Sequence, residues 1–260
     1  MILITYIIAG IIAGILAGWI GAGGGVIIIP LMLWISQYQH IPFPIAMHLA
    51  VATSLAFIMV NALYSSYKHH RQRNIIYPIV KFAIPTILIG AIVGALLGKI
   101  IPSEAIKIIF LLVIISVFIK TFINLDKHHH NPIMPSKVSC ATMGAATGML
   151  ASLVGIGGSG VVNPYMQHYH YPMKNAAAMS ATLAFPMGFF ATVATVATSL
   201  HASSLPAYSL GYLYLPAFIG LLVGSLIGTP IGVKIVKKCP EKISIWVFRI
   251  VLIFVIIEMI

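Results

Sequence analysis

The stretch GWIGAGGGVIIIPLM, Gly18–Met32, sets five glycines and a proline inside apolar sequence. Each interior glycine costs a helix about 1 kcal/mol relative to alanine, so the run reads as an interrupted helix. The chain repeats the pattern in SLVGIGGSGVVNPYM, Ser152–Met166, with the same glycine spacing and the same later Pro-x-Met. Whatever breaks the first apolar run at Gly21–Gly25 also breaks a second at Gly155–Gly160.

The composition identifies the solvent around these breaks. The chain is 60% hydrophobic and only 7% charged, against roughly 25% charged residues in soluble domains. That is too little charge to cover a surface in water, and apolar runs of membrane-span length recur throughout. The chain therefore reads as an all-α polytopic membrane protein embedded in the lipid bilayer, with no soluble domain left over. The apolar stretch Ile2–Ile35 is too long for a signal-peptide core and lacks a basic leader, so the first segment is expected to remain in the mature protein. The net charge of +11 is expected to sit in loops and set orientation, not to bind nucleic acid. Cys140 and Cys239 lie in different segments, without zinc-type spacing. No metal site, cofactor or disulfide framework is expected.

Two halves emerge, residues 1–127 and 128–260. The first carries apolar pieces near Ile2–Ile20, Gly24–Ser36, Phe43–Ser66, Ile75–Ile101 and Ser103–Leu125. The second carries Val138–Val154, Gly157–Tyr169, Met173–Leu200, Pro206–Val236 and Lys242–Ile260. GAGGGVIIIPLM aligns without a gap on GIGGSGVVNPYM, ATSLAF (Ala52–Phe57) on SATLAF (Ser180–Phe185), and IGAIVGALLG (Ile89–Gly98) on IGLLVGSLIG (Ile219–Gly228). Three matches in one order indicate duplication. The fourfold glycine spacing of the last pair also suits close helix packing in lipid.

Charge predicts that the halves are inverted. The basic loop Tyr67–Asn74 should be cytoplasmic, and its counterpart His201–Pro206 has no Lys or Arg. The loop around Ile100–Pro102 is nearly uncharged, whereas its counterpart holds Lys234, Lys237, Lys238 and Lys242. Inversion requires an odd number of crossings per half. Three pieces in each half are long enough to span, so the first two must return to the side they came from. Gly24–Ser36 covers roughly 20 Å, short of the ~30 Å hydrocarbon core. Each half is therefore predicted to be a re-entrant helical hairpin with a Gly-rich tip plus three transmembrane helices. Both termini are expected outside.

A helix that begins just after such a tip points its free N–H groups and positive dipole end at the membrane centre. Two tips entering from opposite faces would make a backbone anion site, where inverted-repeat transporters hold their substrates. The candidate binding residues are Gly21, Gly23, Gly24, Gly25, Gly155, Gly157, Gly158 and Gly160 at the tips, with Ser159 and Asn163 beside the second. Thr53, Ser54 and Thr182 are candidates on the following helices, although hydroxyls in membrane helices commonly bond their own i−4 carbonyl. Arg249 either snorkels to the cytoplasmic interface or lines an anion path. No carboxylate falls in mid-membrane, so an acidic proton relay has no candidate. The histidines at 69–70 and 128–130 read as solvated loop clusters.

The duplicated GxGGGxxxxP and GxGGSGxxxP motifs, each followed by a small-polar TS or AT segment, resemble those of the sulfite exporter TauE/SafE family. The resemblance covers essentially the whole chain. It implies a transporter, not an enzyme, that exports small sulfur-containing anions such as sulfite, sulfonates or sulfoacetate across the cytoplasmic (inner) membrane. Ser159 stands where the first motif has Gly25, and Asn163 where it has Ile29, so the two tips differ chemically. Two other functions fit parts of the sequence. An anion channel could share the architecture. An intramembrane serine protease would explain the GxSG within Gly157–Gly160, but it would need a histidine beside Ser159. The anion itself, the direction, the coupling ion and the oligomeric state are not legible in the sequence.

Overall fold

The computed structural model describes residues 2–259 except 21–23, 123–130, 203–204 and 240. It is helical almost throughout. The first half contributes α1 (Ile2–Ile20), α2 (Gly25–Tyr38), α3 (Phe43–Arg71), α4 (Tyr77–Ile100) and α5 (Ser103–Lys120). The second contributes α6 (Lys137–Val154), α7 (Ser159–His168), α8 (Met173–Ser199), α9 (Leu215–Lys238) and α10 (Glu241–Met259). A two-residue strand pair, β1 (Ser209–Leu210) and β2 (Leu213–Tyr214), precedes α9. Among the described residues, α3, α4, α6, α8 and the Leu215–Gly232 part of α9 are long and apolar enough to cross a membrane.

Proline sets several helix starts, because it disfavours helix in the residue before it and is tolerated at a helix's first turn. Pro42, Pro102 and Pro172 are the N-caps of α3, α5 and α8. The short helices α2 and α7 stop in the same way. His40 and His170 both take left-handed φ, 54° and 63°. The next amides reach back five residues in the chain, Ile41 N to Ser36 O at 3.1 Å and Tyr171 N to Met166 O at 3.0 Å. Both ends are Schellman caps, each followed by a proline that cannot continue the helix.

The breaks between α1 and α2 and between α6 and α7 fall at the glycine motifs. In the second, α6 ends on Gly155 at φ +70°, and Gly157 follows at +84°. Side chains rarely adopt such angles, which is why the turn needs glycine there. Gly158 has an ordinary φ of −76° and caps α7. In the first break, Gly24 caps α2, its carbonyl accepting from the Ile27 and Ile28 amides at 3.1 and 3.0 Å. Gly21 and Gly23 lie outside the described residues. At 10 residues α7 spans about 15 Å. At 18 residues α6 is long enough to cross a membrane unaided, so the break and the shortness of α7, not the length of α6, mark this segment as interrupted.

The helices pair in matching ways. α1 packs along α9, and α6 along α4. Both pairings use the duplicated glycine ladders: Gly90 and Gly94 meet the α6 backbone at Ala145 and Met149, while Gly224 and Gly228 meet the α1 backbone at Ile7 and Ile11. Any side chain there would strike main chain, so the small residues set the interhelical distance. α3 lies against α8, α5 against α10, α2 on α3 and α7 on α8. α3 is the most enclosed of the spans and carries the buried hydroxyls of Thr53 and Ser54.

One boundary differs from the sequence reading. The apolar piece expected from Pro206 begins as helix only at Leu215. Gly211, at φ +56°, turns the preceding stretch into the β1–β2 hairpin. That hairpin is tied down by polar bonds: Tyr212 N donates to Ser199 Oγ at 2.8 Å, and Tyr214 N to Thr53 Oγ1 at 3.2 Å.

Candidate functional site

The two breaks meet. A Cβ placed on Gly25, the first residue of α2, would sit 2.5 Å from the Gly155 carbonyl oxygen, 3.0 Å from that of Ile156 and 2.9 Å from Ile58 Cδ1. Gly155 in turn lies against Ile29 of α2 and the Val51 backbone of α3. The Ser54 hydroxyl closes the contact by donating to the Gly155 oxygen at 2.7 Å, with both groups buried. The start of α2, the turn after α6 and the middle of α3 thus converge on one buried point. It is dominated by main-chain groups, with a helix N-terminus on one side and two carbonyls on the other.

The structure brings Gly25, Gly155 and Ser54 to this point, and the other described tip glycines pack on the helices around it. Gly24 faces the Phe57 ring of α3, Gly157 packs on Ile58, and Gly158 packs on Thr147 of α6. Ser159 heads α7, half-buried. Gly160 lies in ordinary contact with Val113 and Val117 of α5. Asn163 is one turn further along α7, and its Oδ1 is buried without a hydrogen-bond partner among the described residues. Thr53, next to Ser54, accepts from the Tyr214 amide.

Two candidates are placed elsewhere. Thr182 donates to its own i−4 carbonyl, Ala178 O, at 2.8 Å and accepts from Ser66 Oγ at 3.2 Å. Ser66 lies twelve residues beyond Ser54 on α3, about 18 Å along the axis, so Thr182 does not join the Ser54–Gly155 contact. Arg249 donates from Nε to Thr121 Oγ1 at 3.1 Å and from Nη2 to Thr121 O at 2.6 Å. Its guanidinium also lies 3.9 Å from the centre of the Phe122 ring. Thr121 caps the C-terminus of α5, so this cation satisfies a free carbonyl and complements a helix dipole. It does not point at the tips. Among the described residues no group of three His, Cys, Asp or Glu side chains is placed to hold a metal ion.

A polar cluster that no sequence motif marks lies at the opposite end of α3 from the basic Lys68–Arg71 turn. There His48 contacts the ends of α4 and α5 and the ring of Tyr212. A single histidine in the second turn of an apolar helix carries no pattern that would mark it.

Interrupted helices abutting in the interior of a helical bundle, with an exterior this apolar, define a polytopic membrane protein. The sequence matches the sulfite exporter TauE/SafE family over residues 6–259. The chain belongs to that family and is a multi-pass membrane transporter, not an enzyme. It is 28% identical over 202 residues to a probable membrane transporter protein of Haemophilus influenzae, covering 77% of this chain and 76% of the relative. It is 27% identical over 250 residues to one from Methanocaldococcus jannaschii, covering 93% and 89%. Over 154 residues it is 31% identical to the probable membrane transporter protein YdhB of Bacillus subtilis, covering 57% and 58%. No solved structure matches the chain.

Proposed function

We propose that this transporter exports a small sulfur-containing anion, of the sulfite or organosulfonate class, across the cytoplasmic membrane, and that the anion binds at the midplane between the two Gly-rich tips. The observation that carries this is the meeting of the first tip with the second at Gly25, Gly155 and Ser54. When the tips part, the start of α2 offers free N–H groups and a positive dipole end to a common cavity. The Ser54 hydroxyl adds a donor. The Asn163 amide can turn its Nδ2 toward the same region and add a further donor.

The pairing of helices supports two inverted repeats with re-entrant hairpins. Exchanging α1–α5 for α6–α10 turns the α1–α9 packing into the α6–α4 packing and carries the α3–α8 and α5–α10 pairs onto themselves. The Lys/Arg pattern of the loops then fits one orientation, with Tyr67–Asn74 and Lys234–Lys242 both cytoplasmic. The tight contact between tips favours a carrier that alternates over a channel with a continuous pore. The test is a flux screen of purified protein in proteoliposomes against sulfite, sulfate, thiosulfate, organosulfonates and carboxylates. Saturable flux confined to sulfur oxyanions is expected. Equal flux of carboxylates, or none of the sulfur anions, refutes the proposal.

A further inference from the structure

At the end of α3 remote from its basic Lys68–Arg71 turn, three helix ends are held together by one imidazole. His48 Nε2 lies 2.9 Å from the Gly98 carbonyl oxygen in the last turn of α4. Its Nδ1 lies 2.8 Å from the Pro44 carbonyl oxygen and 3.0 Å from the hydroxyl of Ser103, the first residue of α5. The Ser103 hydroxyl in turn reaches Pro44 O at 2.8 Å. Carbonyl oxygens only accept. A neutral imidazole has one N–H. If it serves Gly98, Nδ1 is left as a lone pair facing the Pro44 oxygen, and only the Ser103 hydroxyl can bond it. An imidazolium donates on both sides, and Ser103 is then free to donate to Pro44. Both ring nitrogens thus face carbonyl oxygens, and a ring with two N–H groups has an acceptor for each.

His48 lines a small cavity with Lys99 of α4, Ser152 of α6, Thr195 and Thr198 of α8, and Tyr212 of the hairpin. The His48 and Tyr212 rings lie 4.9 Å apart between centres, tilted by 36°. The titratable or charged groups lining the cavity with His48 are Tyr212 and Lys99, which is exposed, as is Glu104 on α5. Among the described residues no carboxylate lines the cavity. The Ser152 and Thr198 hydroxyls donate to carbonyls of their own helices, so when His48 is protonated the space offers two cations with the Thr195 and Tyr212 hydroxyls, which is the chemistry of an anion site. Ser152 lies three residues before Gly155, so the cavity adjoins the second tip. It encloses about 20 Å³, room for one water and not for a sulfur oxyanion. An anion enters only when the ends of α3, α4 and α5 part, and the bonds that hold them are those of His48.

We propose that this cavity is the outer station of the transport route, where anion and proton bind together, the proton on His48 and the anion replacing the carbonyl oxygens as acceptor for its N–H groups. The inference rests on the anion reading above and names its coupling ion. Histidine changes charge between about pH 5 and 8. Because each ligand favours the other, anion affinity rises as pH falls through that range.

The test uses the purified full chain with sulfate and methanesulfonate, whose charges are constant over this range. Affinity is measured at pH 8 and pH 6, and proton uptake by calorimetry in two buffers of different ionisation enthalpy. In the native protein affinity is expected to rise about fivefold or more on going to pH 6, with net proton uptake on binding. In His48→Gln both effects should vanish. Binding without proton uptake in the native protein, or an unchanged pH dependence in His48→Gln, overturns the proposal. Failure of both anions to bind at either pH contradicts the anion reading itself, and this inference falls with it.

Discussion

Gly25→Ala is the most telling single perturbation of the contact between tips. The added methyl would sit 2.5 Å from Gly155 O, 2.9 Å from Ile58 Cδ1 and 3.0 Å from Ile156 O. Ile58 can turn aside, but the two oxygens are main chain. To restore an ordinary contact of about 3.4 Å, the tips must separate by about 0.9 Å. Overpacking of this kind costs about 1–3 kcal/mol. Alanine's better helix propensity returns part of that, less at a helix's first residue than in its interior. The net is about 1–2 kcal/mol against the closed arrangement, a five- to thirtyfold shift away from it. The matching control is Gly160→Ala, whose methyl would meet Val117 and Val113 at 3.7 and 3.9 Å, ordinary contacts that need no movement. Flux into proteoliposomes and thermal stability in detergent are measured for both variants. Gly25→Ala is expected to lose at least fivefold in flux and to melt lower, while Gly160→Ala stays near the native protein. Native flux and stability in Gly25→Ala would refute the claim that the tips touch at this residue.

Four further outcomes are expected. Ser54→Ala leaves the buried Gly155 oxygen without its hydroxyl donor and should cost about 1–3 kcal/mol of stability, read as a lower denaturation midpoint, and weaken anion binding as well. Arg249→Ala removes two hydrogen bonds to Thr121 and the Phe122 contact, so it should lower stability and leave anion affinity unchanged. Thr182→Val should also leave affinity unchanged, since that hydroxyl is engaged with Ala178 and Ser66. Loss of binding in Arg249→Ala with none in Ser54→Ala would move the site to α10. Cysteine labelling should find Tyr67–Asn74 and Lys234–Lys242 on the same side of the membrane. Opposite sides would contradict the inverted repeat.

Much of the architecture was legible because glycine and proline act through local geometry. The starts of α3 at Phe43, α5 at Ser103 and α8 at Met173 follow from the prolines before them. The break after Val154 follows from glycines that take positive φ. The glycine ladders pointed to close packing, but not to the partner helices. Contacts set by tertiary structure were not legible. The apolar segment before Leu215 reads like more of the same span, and only its bonds to Ser199 and Thr53 explain why it turns into a hairpin. Thr182 shares a motif with Ser54, yet a neighbour far along α3 decides its partner. His48 was invisible because its meaning lies in residues 4, 50 and 55 positions away.

The most direct test of the account is the location of the bound anion. Selenite or selenate, close analogues of the sulfur oxyanions, can be soaked into crystals of the full chain and located by the anomalous signal of selenium. A peak is expected at the tips, within hydrogen-bond reach of residues 24–25, Ser54 or residues 155–160. A peak at Arg249 on α10, with none at the tips, would contradict it.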